Sequence, residues 1–489
     1  MASLDEIKST RIAKLEILKN AGMNPYPSKV PRSFCLADAK KDFIENEKSN
    51  KEFSLVGRIM AIRGQGAILF IVLYDGKGKF QAVFKKDEID EKSFQLFVDA
   101  VDIGDFISVT GKFFSTQRGE QSLLVKSWVI ATKSLLPLPE KWHGIKDDDE
   151  RYRKRYLDIL MNEELRELFV KKAKFWESTR NFLIEKGFME VETPVFEVTT
   201  GGAEATPFKT HHNDYDLDVY LRISVGELWQ KRLMAAGFPK TFEIGRVFRN
   251  EGTSPEHAQE FTNMEFYWSF ADYNDGMDLV KEMYKRISEE VFGTTKFTTR
   301  GHTFDLNDEW IKIDYSEEIK RQTNVDISTA SESEMINKLK ELKVSYEGEN
   351  KERLTDTLWK YCRKNISGPA FLVNHPLLVS PLAKSVIDSN GKSSGTAQMF
   401  QPILAGSELG RGYSELNDPI DQQKRFENQQ KLIDAGDTEA MMADYEFVEM
   451  LEHGMPPTCG FGFGERFFAF LADKPLRELQ MFPLMRPKK

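Results

Sequence analysis

Between residues 53 and 131, apolar and polar positions alternate in short runs: 53–62, 68–74, 80–84, 106–114 and 123–131. The runs are rich in β-branched and aromatic residues, and turn formers separate them at 64–66, 75–78 and 118–119. A helical pattern at 92–101 falls between the third and fourth runs. Five strands with a helix in that place predict a small closed barrel of the oligonucleotide-binding type (OB-fold) over 53–138. Ahead of it, in the lead-in 1–52, the stretch 4–21 sets Ile7, Ile12, Leu15 and Leu18 near helical spacing. Lys8, Arg11, Lys14 and Lys19 fill the intervening face. That face is either solvated or, next to a nucleic-acid domain, placed to meet phosphates.

Past the barrel the pattern changes. Pro137, Pro139 and the acidic run 147–149 mark a linker over 139–162. From 163 onward a long amphipathic helix (163–186) leads into strands and loops, a helix around 276–291, a helical insertion near 316–364, further strands and a last helix at 466–472. Strands broken by helices without regular βαβ alternation predict an α+β domain over 163–489, built on a mostly antiparallel sheet flanked by helices. Neither GxxxxGK[ST] nor a GxGxxG between strand and helix occurs, which argues against P-loop and Rossmann nucleotide sites.

Composition narrows the reading further. A chain of 489 residues is long enough for two or three cores. Its net charge of −9 gives no overall pull toward nucleic acid, so any such surface must be local. Cys35, Cys362 and Cys459 have no metal-ligand spacing, and they read as reduced thiols. No run has the length of a signal peptide core or a membrane span, so a cytoplasmic, soluble protein is expected.

Candidate chemistry sits in two places. On the run 261–271, Met264, Phe266, Trp268 and Phe270 share one face, while Glu265, Tyr267 and Ser269 share the other. A carboxylate on a well-buried strand is costly unless it meets a cation. An internal salt bridge and a pocket for a cationic ligand both satisfy that. The preceding run 241–249 ends at Arg249, suited to bidentate contact with carboxylate or phosphate. Near the C-terminus, GFGFGER (460–466) puts three glycines on one strand face. Such bare backbone admits either a close-packed helix or a flat ring.

Together these pieces resemble the class II aminoacyl-tRNA synthetases. GFMEVETP (187–194) resembles their motif 1, the dimer-interface element. FRNE (248–251) with the following hairpin resembles motif 2, and the glycine strand with Arg466 resembles motif 3. The class I signatures HIGH and KMSKS are absent. With an N-terminal barrel, the likeness is to the lysyl, aspartyl and asparaginyl subclass. GGA (201–203), THHN (210–213), RNEG (249–252), EH (256–257), SELND (414–418) and FPLMRP (482–487) are most similar to the lysyl family.

The resemblance implies ATP-dependent activation of L-lysine and its transfer to tRNA(Lys), with Mg²⁺, by a homodimer. It assigns Arg249 to the α-phosphate and substrate carboxylate. Glu251, His257 and Phe261 go to ATP, and Arg466 to the γ-phosphate. Gly202 and Glu227 go to the α-amino group, and Glu265, Tyr267 and Glu415 to the ε-ammonium, with Tyr413 beside them. Glu408 falls to ATP and metal, and Arg63, Phe70 and Gln81 to the anticodon. Charge sign agrees, because two carboxylates and a phenol suit an ammonium, whereas an aspartate pocket would need cations. Other readings are a paralogue that lysylates protein, which would lack the barrel, and a non-catalytic tRNA-binding regulator.

The sequence also departs from that family. Its motif 3 is one residue short before the acid–arginine pair. Arg411 stands for the usual Asn, and Gln401 for a metal-binding Glu. The loop 224–226 is one residue longer than usual. Strict alternation sets Glu408 on the face opposite Arg411, Tyr413 and Glu415, so a bulge near Gly410 or Gly412 is expected if Glu408 is to join them.

Overall fold

The computed structural model describes residues 3–64, 66–139, 147–203, 205–252, 257–346, 348–377, 380–389, 391–434 and 441–488. Gln65 of the first predicted turn, 140–146 of the predicted linker, and Glu256 lie outside them. The chain divides into two compact units, Met1–Arg151 and Tyr152–Lys489.

In the first unit, β1 (Glu52–Arg63), β2 (Ile68–Tyr74), β3 (Lys79–Lys85), β4 (Phe106–Ser115) and β5 (Gln121–Thr132) close into a barrel of order β1-β2-β3-β5-β4. Alternation decides the inside: Leu69, Ile71 and Leu73 of β2 and Phe80, Ala82 and Phe84 of β3 are buried together. Helix α1 (Leu4–Asn20) opens with a Ser3–Glu6 capping box.

The basic face of α1 departs from the sequence expectation. Arg11 is buried and donates to Ser134 Oγ at 2.7 Å and to the Leu136 and Ile103 carbonyls, both at 3.0 Å. Lys14 pairs with Asp102 at 2.6 Å. Loop acceptors beside the barrel take up these cations, while Ile12 is exposed. Arg11 and Lys14 are therefore structural cations rather than part of a solvated or phosphate-facing surface.

In the second unit one mixed sheet carries the site. Its strands are β6 (Met189–Glu190), β7 (Lys240–Phe248), β8 (Glu260–Ser269), β9 (Ile311–Asp314), β10 (Ala370–Val373), β11 (Met399–Leu404), β12 (Ser407–Glu408), β13 (Arg411–Ser414) and β14 (Thr458–Gly464). The order is β9-β10-β11-β13-β14-β8-β7-β6, with β12 paired to β11. Pairing is antiparallel through the centre and parallel at β9–β10 and β6–β7.

One face of this sheet is covered by helix α2 (Glu163–Glu185) and helix α3 (Tyr273–Phe292). Asn162 caps the start of α2, and Gly187, with φ +82°, follows its end. An Asp272–Asp275 capping box starts α3. Phe175 and Phe182 from α2 and Val280, Met283 and Tyr284 from α3 pack on Phe266, Phe461 and Phe463 of the central strands. The opposite sheet face is left for the polar site.

Three expectations change. The predicted linker contains helices Asp148–Arg153 and Arg155–Met161, and Arg155 is fully buried against Asp158 and Glu478. An arginine with two carboxylate partners makes that stretch part of the folded unit. The helix expected around 276–291 starts earlier, at the Asp272 cap. Phe270 is not a core residue of β8. It follows the strand with φ +62° and is 81 % exposed, because the chain turns there into α3. The expected insertion is three helices, Tyr315–Thr323, Glu332–Glu341 and Lys351–Cys362, around their own apolar cluster.

Candidate active site

Every second-unit residue assigned above to lysine, ATP or metal lines one cavity of about 390 Å³ on the polar face of the sheet. Strand alternation explains the convergence. β8 points Asn263, Glu265 and Tyr267 into it, and β14 beside it contributes Gly460, Gly462 and Gly464. β13 adds Arg411 and Tyr413, followed by Glu415. Glu408 reaches the same cavity because strand geometry breaks at Leu409 and Gly410, whose φ is +152°.

The glycine face does not lie bare. A Cβ on Gly460 would overlap Glu415 Oε1 and come within 2.7 Å of the Tyr267 ring, and one on Gly462 would sit 2.8 Å from Glu265 Cγ. The glycines of β14 make room for the pocket's own acidic side chains. Gly464 lies opposite Asn263 and the Phe261 ring.

One end of the cavity is acidic. Glu265 is buried, and Oε1 accepts from Val225 N–H at 2.8 Å and Asn263 Nδ2 at 3.1 Å, while Oε2 accepts from Tyr267 Oη at 3.2 Å. No cation pairs with it among the described residues, so the salt bridge considered for it is absent. Burial, then the Glu227 charge, raise its pKa to about 7 against those hydrogen bonds.

Glu227 begins helix α4 (Glu227–Ala235), and its Oε1 accepts from the Tyr413 hydroxyl. Gly202, with φ +86°, lies against it, where a Cβ would be 2.7 Å from Oε2. Glu415 is buried, and burial raises its pKa to about 8 despite the opposing charge of Lys231. Burial also pushes the Tyr267 and Tyr413 phenols well above their usual range.

Lys231, one turn along α4, is the cation that sequence reading missed. Its Nζ is 2.9 Å from Glu227 Oε1 and 2.5 Å from Glu415 Oε2. The signal was the Glu227–Lys231 spacing of four residues, which becomes legible only once 227–235 is seen as a helix.

Comparison with known proteins gives this geometry a family. Residues 147–486 match the tRNA synthetases class II (D, K and N), and residues 53–131 match the OB-fold nucleic acid binding domain. The chain is 39 % identical to a lysine–tRNA ligase of Thermotoga maritima, covering 99 % of this chain and 97 % of that protein. It is 40 % identical to one of Roseiflexus over 99 % of both, and 41 % identical to one of Clostridium perfringens over 99 % and 97 %. The chain belongs to the class II tRNA synthetase (D, K and N) family.

The other end of this synthetase's cavity is basic and mixed. Arg249, just past β7, donates through Nη2 and Nε to the Ile223 carbonyl at 3.2 and 3.3 Å and lies 5.3 Å from the Phe261 ring. Burial lowers its pKa. Glu251, His257, Phe261 and Arg466 line the same end. Arg466 opens the last helix (Arg466–Leu471), so the shortened motif 3 still delivers an arginine to the cavity.

The acid before Arg466 is structural. Glu465 is buried among Lys172 (2.9 Å), Gln480 (2.7 Å) and the Thr262 N–H (2.9 Å). Glu408 accepts from Trp359 Nε1 of the helical insertion. Gln401 is buried with Oε1 2.7 Å from His375 Nε2. Arg411 has no ion pair among the described residues.

In the barrel, Arg63 and Phe70 are direct partners across β1–β2, and Gln81 lies on the same outer face of β3. Arg63 is exposed and Phe70 half-buried. Gln81 Nε2 donates to Ser122 Oγ at 2.8 Å.

Proposed function

We propose that this protein is a lysine–tRNA ligase that activates L-lysine with ATP and transfers it to tRNA(Lys). The observation that carries the reading is the acidic end: three buried carboxylates with two phenols, beside an arginine that can take a carboxylate. The full-length likeness to lysine–tRNA ligases points the same way.

In this reading Glu265, Tyr267 and Glu415 receive the ε-ammonium, while Glu227, Gly202 and Tyr413 surround the α-amino group. Arg249 bridges the lysine carboxylate and the α-phosphate. Glu251, His257 and Phe261 hold the adenosine end, and Arg466 the γ-phosphate. A lysine carboxylate oxygen attacks the α-phosphorus, the bond to the β-phosphate oxygen breaks, and pyrophosphate leaves. The terminal ribose hydroxyl of tRNA then attacks the lysyl carbonyl, and AMP leaves. No side-chain nucleophile is needed. Positioning and arginine charge lower the barrier.

Among the described residues no cluster of three or more metal-type ligands occurs. Mg²⁺ bound mainly by phosphates and water needs only one or two carboxylates. Glu408 fits that role, whereas the Gln401 oxygen is turned to His375. Glu408 would hold Mg²⁺, which supplies charge neutralisation at the phosphates.

Arg63, Phe70 and Gln81 read the anticodon, Phe70 by stacking. The barrel favours tRNA over a protein acceptor, and the assembled cavity favours an enzyme over a silent binding protein. A homodimer through the 187–194 element is supported by Met189 within it and Phe196 and Val198 just after it, which leave apolar surface exposed. We place the reaction in the cytoplasm. Three free, buried cysteines suit a reducing compartment, and among the described residues no helix could cross a membrane.

ATP–pyrophosphate exchange with lysine, aspartate and asparagine offered singly tests the reading. Lysine alone should support it, followed by charging of tRNA(Lys). Exchange with asparagine in place of lysine would overturn the pocket assignment.

A further inference from the structure

Lys231 has only 1 % of its side chain exposed and does not line the cavity. It sits behind it. Its ammonium touches Glu227 on its own helix and Glu415 after β13. The rings of Tyr413 (5.5 Å), Phe447 (5.8 Å) and Tyr267 (6.0 Å) also lie near it. A buried ammonium is expensive unless paired, and here two carboxylates compensate one cation. Glu265 is left outside the pairing.

Two observations bear on what this arrangement does. First, with its acids ionised the acidic end holds three carboxylates against one internal ammonium, a deficit of two positive charges. That matches a substrate with two ammonium groups. Second, Glu227 and Glu415 lie on different elements, α4 and the end of β13, and Lys231 is the atom-to-atom link between them.

We infer that Lys231 is a positioning residue for amino-acid selection: its ammonium clamps Glu227 and Glu415 in place and sets the pocket's charge so that a diammonium substrate neutralises it. This rests on the lysine reading above. Lys231 acts through the two carboxylates and touches no reacting atom.

The sign of the pH dependence follows from the groups that face it. These are Glu227, Glu265, Glu415, Tyr267 and Tyr413; Glu197, raised to about 8 chiefly by burial, and Arg249, whose charges act with that of Glu265; Arg411, whose charge acts on Tyr413; and, beside Glu415, the Cys459 thiol, which burial holds neutral well above its usual range. The phenols also stay neutral. Glu265 and Glu415, with pKa raised to about 7 and about 8, are partly protonated near neutrality, and a protonated acid does not pair an ammonium. In the parent protein KM for lysine should therefore fall as pH rises from 6 and level off above about 8. Without Lys231 the carboxylates lose their nearest cation, hold protons to higher pH, and the levelling-off moves up.

The test compares Lys231→Met and Lys231→Ala with the parent protein. It uses lysine titration calorimetry and pyrophosphate exchange between pH 6 and 9.5, with thermal melting to establish folding. Lys231→Met should raise KM and Kd for lysine at least tenfold at pH 7, leave KM for ATP within about twofold, and shift the lysine pH profile upward by a unit or more. Ethylammonium should restore part of the lysine affinity of Lys231→Ala. A KM for lysine within threefold of the parent's would overturn the inference. So would a rise of equal size at every pH without amine rescue, since that is the mark of packing alone. If the parent itself gives no lysine-dependent exchange, the lysine reading fails and this inference falls with it. If the parent is active and the variants match it, only the inference falls.

Discussion

Glu265 and Gln401 show how far a single side chain's neighbours decide its use. Glu265 accepts three hydrogen bonds and lacks a cation among the described residues, so dipoles alone solvate its charge, which leaves it available to the ammonium group proposed above. Leaving one member of a desolvated charge pair unmatched costs about 3–5 kcal/mol. Glu265→Gln keeps the shape and, with its oxygen toward Val225 and Asn263, those two hydrogen bonds; its NH2 then donates to the Tyr267 oxygen, and the charge is lost, so lysine-dependent exchange should drop by orders of magnitude while the fold is kept. Near-normal lysine activation by that variant, measured by initial rates at subsaturating lysine, would refute the assignment.

At the end proposed to hold the phosphates, Gln401 is bonded to His375, and Arg411, which has no ion pair among the described residues, lines the same cavity as Glu408. We expect Arg411 to supply part of the charge otherwise brought by Mg²⁺. Gln401→Glu should lower the Mg²⁺ concentration for half-maximal exchange, and Arg411→Asn should raise it with little change in lysine affinity at saturating Mg²⁺. A titration that moves in neither variant would remove this account.

The strands that carry the site were legible from alternation, because β7 and β8 alternate apolar with polar positions and β14 alternates aromatics with glycines. What alternation could not give was the end of an element or the contents of a bare face. Phe270 keeps the period of β8 yet lies past its end, since the positive φ there depends on the turn into α3. Glu408 keeps the wrong period, and the break at Gly410 restores it, as the glycines there allowed. The glycines of β14 read equally as room for a ring or for packing. They hold Glu415, Tyr267 and Glu265 instead, contacts that come from strands distant in sequence. Nor could spacing alone show that Arg155, in a run read as linker, would be buried against Glu478, more than three hundred residues away. The glycine strand gives a sharp test. Gly460→Ala should displace Glu415 and Tyr267, raising KM for lysine at least tenfold while KM for ATP changes little. Equal loss for both substrates would mean that the strand itself has shifted.

At the scale of the whole chain, the division into barrel and sheet units was legible because each has its own periodicity and its own apolar cluster. The match of residues 53–131 to an OB-fold nucleic acid binding domain gives the barrel a nucleic-acid role that the overall acidic charge does not announce. Its outer face offers the needed chemistry locally: Arg63 is exposed opposite Phe70, and Lys85 lies 5.8 Å from the Phe114 ring. Two units with separate cores imply that tRNA reading and amino-acid activation can be damaged separately. Phe70 is half-buried on that face, while its neighbours Leu69 and Ile71 fill the core. Truncating it therefore removes an outward ring without emptying the barrel. Base stacking on an aromatic is worth about 1–3 kcal/mol, which corresponds to roughly five- to 150-fold in affinity. Phe70→Ala should lower kcat/KM for charging tRNA(Lys) within that range and leave lysine-dependent pyrophosphate exchange within about twofold of the parent. Equal loss in both assays would indicate a misfolded barrel, and no loss in charging would show that Phe70 does not meet the anticodon.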